Sequence, residues 1–148
     1  MKIAFGNDHA GLELKDELIE ELTQMGVKVL NLGVDTSDSV DYPDIAQAVG
    51  EAVAGGKADL GVVVCGTGIG VCMAANKVPG IRAACCSFEY HARMAREHNH
   101  ANVCCIGSRV TGAEVARAIL AVFVGTALDD DERHLRRVRK VEALDDAH

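Results

Sequence analysis

The residues best suited to chemistry crowd into one short segment, Val64-Cys65-Gly66-Thr67-Gly68-Ile69-Gly70. Three alternate glycines let the backbone approach a ligand closely, and N–H groups exposed where a helix begins favour negative charge. The segment lacks the Gly-Lys-Ser/Thr ending of a Walker loop and does not complete a GxGxxG fingerprint. It therefore reads either as an anion cradle or as a tight strand-to-helix connection. Cys65 stands last before the glycines, where a helix N-terminus draws a thiol from about 8.5 toward neutrality and makes a thiolate base available. The competing reading is burial, since cysteine behaves as a small hydrophobe, and Cys72, Cys85, Cys86, Cys104 and Cys105 read most simply that way.

Other polar groups fall where strands and helices end. Asn7-Asp8-His9 would bring a carboxylate and an imidazole to the same edge as the glycines, although Asp8 could equally cap a helix starting near Gly11. His98-Asn99-His100-Ala101-Asn102 closes a helix ahead of a strand, where a histidine can exchange a proton near neutral pH or simply cap the helix. His91 and His148 have no such placement and read as solvated. Arg133-His134 and Arg137 set two guanidiniums one helical turn apart beside an imidazole, a spacing that fits a phosphate clamp or a solvated basic helix. Arg109, after Gly107-Ser108, is another candidate anion ligand.

Alternating strand and helix patterns must position these groups. Lys2–Gly6 reads as a strand, and Leu12 to Met25, with Leu14, Leu18, Ile19 and Leu22 at helical spacing, as an amphipathic helix stopped by Gly26. Val27–Leu32 follows as a strand, then a polar loop over Gly33–Tyr42, then a helix opened by Pro43 and running to about Gly55. Asp59–Cys65, apolar on both faces, reads as a central parallel strand. A short helix through Asn76 comes after the glycines. Ile81–Cys85 and Val103–Ile106 read as two more buried strands, separated by a helix over Glu89–His98 and followed by one over Thr111–Val124. Residues 131–143 form a charged helix whose apolar stripe, Leu135, Val138 and Val141, suits an edge or another chain better than a core.

The pattern predicts an α/β chain: a three-layer α/β/α Rossmann-like sandwich on a five-stranded parallel sheet, plus the C-terminal helix, in a single domain over residues 1–148. Ligands in such folds bind beyond the carboxyl ends of the strands. The site should then draw on Asn7–Gly11, the loop reaching Tyr42, Cys65–Gly70, the Ser87 region and Gly107–Arg109.

At 148 residues and 49% hydrophobic, the chain can bury one continuous core. No apolar run is long enough for a signal peptide or a membrane span, which points to a cytoplasmic location. Six cysteines without a CxxC pair fit reduced thiols better than disulfides or a zinc site. A net charge of −7 argues against nucleic acid or an acidic membrane as partner.

Taken in order, GNDHAG (6–11), DYP (41–43), CGTGIG (65–70), AANKVPGIRA (74–83), HN (98–99), NV (102–103), GSRV (107–110) and RH-x-x-R (133–137) resemble the ribose-5-phosphate isomerase B family, whose relatives include galactose-6-phosphate and allose-6-phosphate isomerases. The resemblance implies metal- and cofactor-independent interconversion of an aldose and a ketose phosphate through an enediolate. It also implies a homodimer or dimer of dimers, with each site sharing residues of both chains. Carried over by position, Cys65 resembles the base between C2 and C1. Thr67 and the N–H groups of Gly66, Thr67, Gly68, Ile69 and Gly70 resemble the enediolate cradle, and His98 the acid that opens the sugar ring. Asp8 and Tyr42 then lie near the ring oxygens and hydroxyls, Asn99 orients substrate, His9, Arg109, Arg133 and Arg137 resemble the phosphate-end ligands, and His134 belongs with the substrate-binding residues.

One branch of the family carries a glutamate base just after the glycine turn; Val71 stands there, which leaves Cys65 as the base. Asp131-Glu132, directly before Arg133, departs from the family's small residues and stands to tighten or repel the clamp. Two alternatives stay open: an isomerase for a four- or six-carbon sugar phosphate, and a non-catalytic phosphate-binding subunit. A thiol-redox role lacks a resolving cysteine.

Overall fold

The computed structural model describes residues 1–145; His148 and the end of the 131–148 tail lie outside the described residues. Strands β1 (Lys2–Asn7), β2 (Lys28–Asn31), β3 (Leu60–Cys65), β4 (Ala83–Cys85) and β5 (Val103–Gly107) alternate with helices α1 (Leu12–Gln24), α2 (Tyr42–Ala54), α3 (Ile69–Ala75), α4 (Glu89–Asn99) and α5 (Ala113–Gly125). A sixth helix, α6 (Glu132–Glu142), closes the described chain. The strands form one all-parallel sheet in the order β2-β1-β3-β5-β4, so the fold is the Rossmann-like α/β/α sandwich that the alternation predicts.

Each face of the sheet carries its own apolar layer. Ile3, Phe5, Val62, Val64, Cys104 and Ile106 point to the face covered by α1, α4 and α5, where Leu18, Leu22, Ile119 and Phe123 meet them. Ala4, Val63, Cys65, Val103 and Cys105 point to the face covered by α2 and α3. Every residue of β3 is buried, as its position between two strands and two helical layers requires. Leu14, Leu18 and Leu22 repeat every four residues and form the buried stripe of α1. Gly26, at φ +76, then turns the chain into β2.

Two elements depart from the sequence reading. β4 starts at Ala83 instead of Ile81, because the Arg82 N–H donates to the Asn102 side chain and not to a neighbouring strand. It is an edge strand and only half-buried, not a buried one. α5 starts at Ala113 instead of Thr111, because the Thr111 N–H closes a turn on the Gly107 carbonyl. The stripe on α6 is also shifted: His134 and Val138 are buried, Leu135 is intermediate and Val141 is exposed. No helix among the described residues is long and apolar enough to cross a membrane.

Candidate active site

The strand order fixes where a ligand can enter. From β1 the chain crosses to β2 on one side of the sheet, and from β3 it moves toward β5 and β4 on the other. The loops leaving β1 and β3 therefore diverge and open a crevice at their carboxyl ends. A cleft of about 490 Å³ lies there, lined by Asp8, His9, Tyr42, Cys65, Gly66, Thr67, Ile69, Gly70 and Arg109, with Ala10 and Met73. A larger groove of about 580 Å³ runs beside it between α2 and α3 and shares Tyr42, Gly70 and Met73. That groove has no thiol or imidazole, so the chemistry belongs to the smaller cleft.

Cys65 is 5% exposed, and its sulfur accepts a hydrogen bond from the Gly68 N–H at 3.2 Å. Gly68 holds φ +77, and a Cβ there would stand 3.0 Å from the Gly107 nitrogen, so both its conformation and its neighbours require glycine. The cradle expected of five free N–H groups is smaller than the sequence reading had it. The Gly68 N–H is committed to the Cys65 sulfur and the Ile69 N–H to Thr67 Oγ1 at 3.3 Å. The second bond has a use: with Oγ1 accepting from Ile69, the Thr67 hydroxyl proton is left to donate outward. Tyr42 packs on Gly70, where an added Cβ would meet its ring at 2.8 Å, and the Arg109 side chain lies over Gly66.

Asp8 is 4% exposed, and its Oδ1 accepts from the Gly11 N–H at 2.8 Å. Asp8 is not the cap of α1, whose N-cap is Gly11 without a side-chain cap bond; its Oδ1 closes the turn ahead of the helix, and the residue lines the cleft. His9 Nδ1 accepts from the Val40 N–H at 3.2 Å. An acceptor at Nδ1 places the proton of a neutral imidazole on Nε2, which makes His9 a hydrogen-bond donor. The loops are joined mainly through the main chain: Asp8 N–H to Val64 O (3.1 Å), Ser108 N–H to Cys65 O (2.8 Å), Arg109 N–H to Gly66 O (2.9 Å) and Ser108 Oγ to Ala10 O (2.7 Å). The Ser87 region, at the end of edge strand β4, does not line this cleft.

Five candidates lie elsewhere in the chain. Asn99 and Arg137 line a separate cleft of about 270 Å³ between α4 and α6. The His98 ring stacks on His134 with centroids 4.2 Å apart. His134 is 4% exposed and has a partner at each ring nitrogen, Asp129 Oδ2 at 3.0 Å and the Arg133 guanidinium at 3.4 Å. Asp131 and Glu132 each have a partner within α6. Asp131 caps α6 by accepting from the Arg133 backbone N–H at 2.8 Å, and Glu132 pairs with Arg139.

The thiols divide by environment. Cys105 hydrogen-bonds Cys72 and draws it down to about 7 from the ordinary 9.0. Burial, aided by Cys72, pushes Cys85 up to about 11. Cys104 and Cys105 are held well above the ordinary value, by hydrogen bonds to Cys86 and Cys72 respectively and by complete burial. All six cysteines are free. Among the described residues, no three His, Cys, Asp or Glu side chains gather closely enough to hold a metal ion.

Sequence reasoning passed over two groups that the structure makes prominent. Lys15, 3% exposed, donates to Val34 O (3.0 Å) and Asp35 (2.6 Å), and pins the loop that presents Val40 to His9. Its position on the buried stripe of α1, next to Leu14, was the available signal. Asp129 sat inside a run of acids, and only the fold shows which of them faces a histidine.

Comparison with known proteins agrees with this architecture. The ribose/galactose isomerase family model matches residues 3–141. The chain is 45% identical to ribose-5-phosphate isomerase B of Escherichia coli, over 97% of this chain and 96% of that one. It is 42% identical to D-erythrulose-4-phosphate isomerase of Pectobacterium atrosepticum, over 84% of this chain and 82% of that one. The solved ribose-5-phosphate isomerase B of Clostridium thermocellum superposes with a TM-score of 0.96 at 45% identity, covering 99% of each chain. A family match over residues 3–141, close identity and a shared fold place this chain in the ribose/galactose isomerase family, as an isomerase.

Proposed function

We propose that the protein interconverts D-ribose 5-phosphate and D-ribulose 5-phosphate through an enediolate, without a metal, with Cys65 as the base. The observation that carries this reading is the Cys65 sulfur, met by the Gly68 N–H at 3.2 Å in the wall of a cleft that also holds Asp8, His9, Thr67 and Arg109. His9, donating from Nε2, and Arg109 supply positive and donor groups for the phosphate. Asp8 and Tyr42, in the lining of the same cleft, take the sugar hydroxyls. His98 protonates the ring oxygen as the furanose opens, and the Asp8 carboxylate takes the proton of the anomeric hydroxyl, leaving the C1 carbonyl. The Cys65 thiolate takes the proton from C2, and the electron pair moves through C1 onto O1. The Thr67 hydroxyl and the N–H groups of the turn left without a partner stabilise that charge, which exists only along the reaction path. The Cys65 thiol then returns the proton to C1 while one hydroxyl proton passes from O2 to O1.

His98, Asn99, Arg133 and Arg137 line no part of the Cys65 cleft of their own chain. In this reading a second copy provides them, and the enzyme works as a homodimer with mixed sites. Mixing Cys65→Ala with His98→Asn protein, each inactive alone, is expected to restore about a quarter of wild-type activity: half the dimers are hybrid, and each hybrid has one intact site of two. Persistently inactive mixtures, despite subunit exchange seen by native mass spectrometry, would overturn the shared site.

The decisive assay follows ribose 5-phosphate conversion in the presence of EDTA. Cys65→Ala is expected to abolish turnover while the protein remains folded and still binds inorganic phosphate; unchanged turnover would sink the mechanism. The 42% identity to a D-erythrulose-4-phosphate isomerase favours one second reading, a four-carbon substrate. Comparing kcat/KM over four-, five- and six-carbon sugar phosphates decides between them.

A further inference from the structure

His134 is buried, and it touches two residues to which the proposed function gives tasks: His98 through its ring face and Arg133 through Nε2. A carboxylate only accepts and a guanidinium only donates. With Asp129 at Nδ1 and Arg133 at Nε2, the consistent state is a neutral imidazole carrying its proton on Nδ1 and offering the Nε2 lone pair to Arg133.

Asp129 is held at every polar atom. Its N–H donates to Glu97 O at 3.3 Å, and its carbonyl meets His100 Nε2 at 2.9 Å. Its Oδ1 accepts from the Asp131 N–H at 2.9 Å, and its Oδ2 meets His134. His100 itself occupies the left-handed C-cap of α4 at φ +48, a conformation that non-glycine residues adopt rarely and that directs its ring toward residue 129. The Asp131 N–H bond, joined by the contact with His134, keeps the Asp129 carboxyl below the usual carboxylate range, so it is an anion at working pH. The first three contacts fix the main chain and one carboxylate oxygen, and they leave Oδ2 presented to the His134 imidazole.

We propose that Asp129 and His134 form a positioning pair for the isomerase site: Asp129 fixes the His134 tautomer, and His134 in turn orients the Arg133 guanidinium and backs the His98 ring. His134 is then a positioning residue and not a phosphate ligand. The inference rests on the functional reading for the tasks of Arg133 and His98, but the tautomer lock itself does not.

The test uses the full-length protein with Asp129→Leu, which removes the acceptor, and Asp129→Asn, which retains an oxygen able to accept from Nδ1–H. Three quantities are read: the His134 tautomer by long-range ¹⁵N–¹H NMR, the Kd for inorganic phosphate, and steady-state constants on ribose 5-phosphate. Wild type and Asp129→Asn are expected to show His134 protonated on Nδ1 and to agree within about threefold in Kd and kcat/KM. Asp129→Leu is expected to lose the Nδ1–H form, weaken phosphate about tenfold and lower kcat/KM at least as much. An Nε2–H tautomer in the wild type overturns the proposal, as does Asp129→Leu behaving like wild type or Asp129→Asn failing as badly as Asp129→Leu. If wild type does not turn over any sugar phosphate, the functional reading fails, while the tautomer and the phosphate Kd still decide the positioning pair.

Discussion

The Cys65 sulfur receives one main-chain N–H, and the residue that donates it cannot be anything but glycine without moving the backbone. Gly68→Ala is expected to cost at least about 1 kcal/mol of stability from the left-handed φ alone. The Cβ contacts with Gly107 and Ile106 add to that, and kcat is expected to fall far more than thermal stability, since the donor moves away from sulfur. Parallel thermal melts and steady-state kinetics check this. Cys72 gives an independent residue-level prediction. Drawn to about 7, it is expected to take up iodoacetamide at pH 8 well before Cys85, held at about 11, and before the fully buried Cys104 and Cys105. Peptide mass spectrometry over a time course reads the order, and early labelling of Cys85 would contradict it. The cysteines also mark how far a sequence can be read. Proximity to the glycines singled out Cys65, but the link between Cys72 and Cys105 joins a helix to a strand 33 residues later (72 to 105) and shows only once the sheet is assembled.

At the level of elements, the loop between β2 and α2 is held by its ends more than by its own sequence. Asn7 Nδ2 and Lys15 Nζ both donate to Val34 O, the Val34 N–H returns to Asn7 O, and further along Val40 reaches His9. Lys15→Met removes one anchor and leaves an apolar side chain of similar length on the buried stripe of α1. KM for the sugar phosphate is expected to rise about three- to tenfold with a smaller change in kcat, because the loop positions a binding group and no reacting atom. A fall in kcat at constant KM would refute that assignment. The alternation of elements was readable because parallel sheets demand long apolar strands between amphipathic helices. The ends were less so. Ile81 and Arg82 look like strand in isolation, yet they lie outside the ladder because Asn102 takes the Arg82 N–H. The acidic run before α6 was likewise ambiguous: whether Asp131 repels a clamp or caps a helix depends on a single backbone contact to Arg133.

Over the whole molecule, buried thiols make the fold sensitive to alkali. Cys85, Cys104 and Cys105 have folded-state values above the ordinary 9.0. Between about pH 9 and 11 an unfolded chain sheds these protons while the folded one keeps them. The unfolded state then binds fewer protons, and stability falls as pH rises. Cys72 has the opposite sign: its lowered value contributes stability above pH 9 that is lost as pH falls through about 7. Three raised groups outweigh one lowered group, so the unfolding midpoint is expected to drop from pH 9 upward, and Cys104→Val is expected to flatten the decline. Differential scanning calorimetry across that range tests it; an unchanged slope in Cys104→Val would remove Cys104 from the account. The sequence implied the burial of these thiols, but the strength of the effect comes from pairs such as Cys86 and Cys104 that only the packed core brings together.

The cleft floor is stitched by main-chain bonds: Asp8 to Val64, Ser108 to Cys65, Arg109 to Gly66. Amides and carbonyls are the same in every amino acid but proline, so mutation of the side chains above them leaves the frame in place. For a lineage, this lowers the barrier to changing chemistry. A base can be lost at one position and regained at the next turn, or a pocket wall exchanged for another sugar, while the descendants continue to fold. The site is in that sense a socket that evolution can refit one residue at a time.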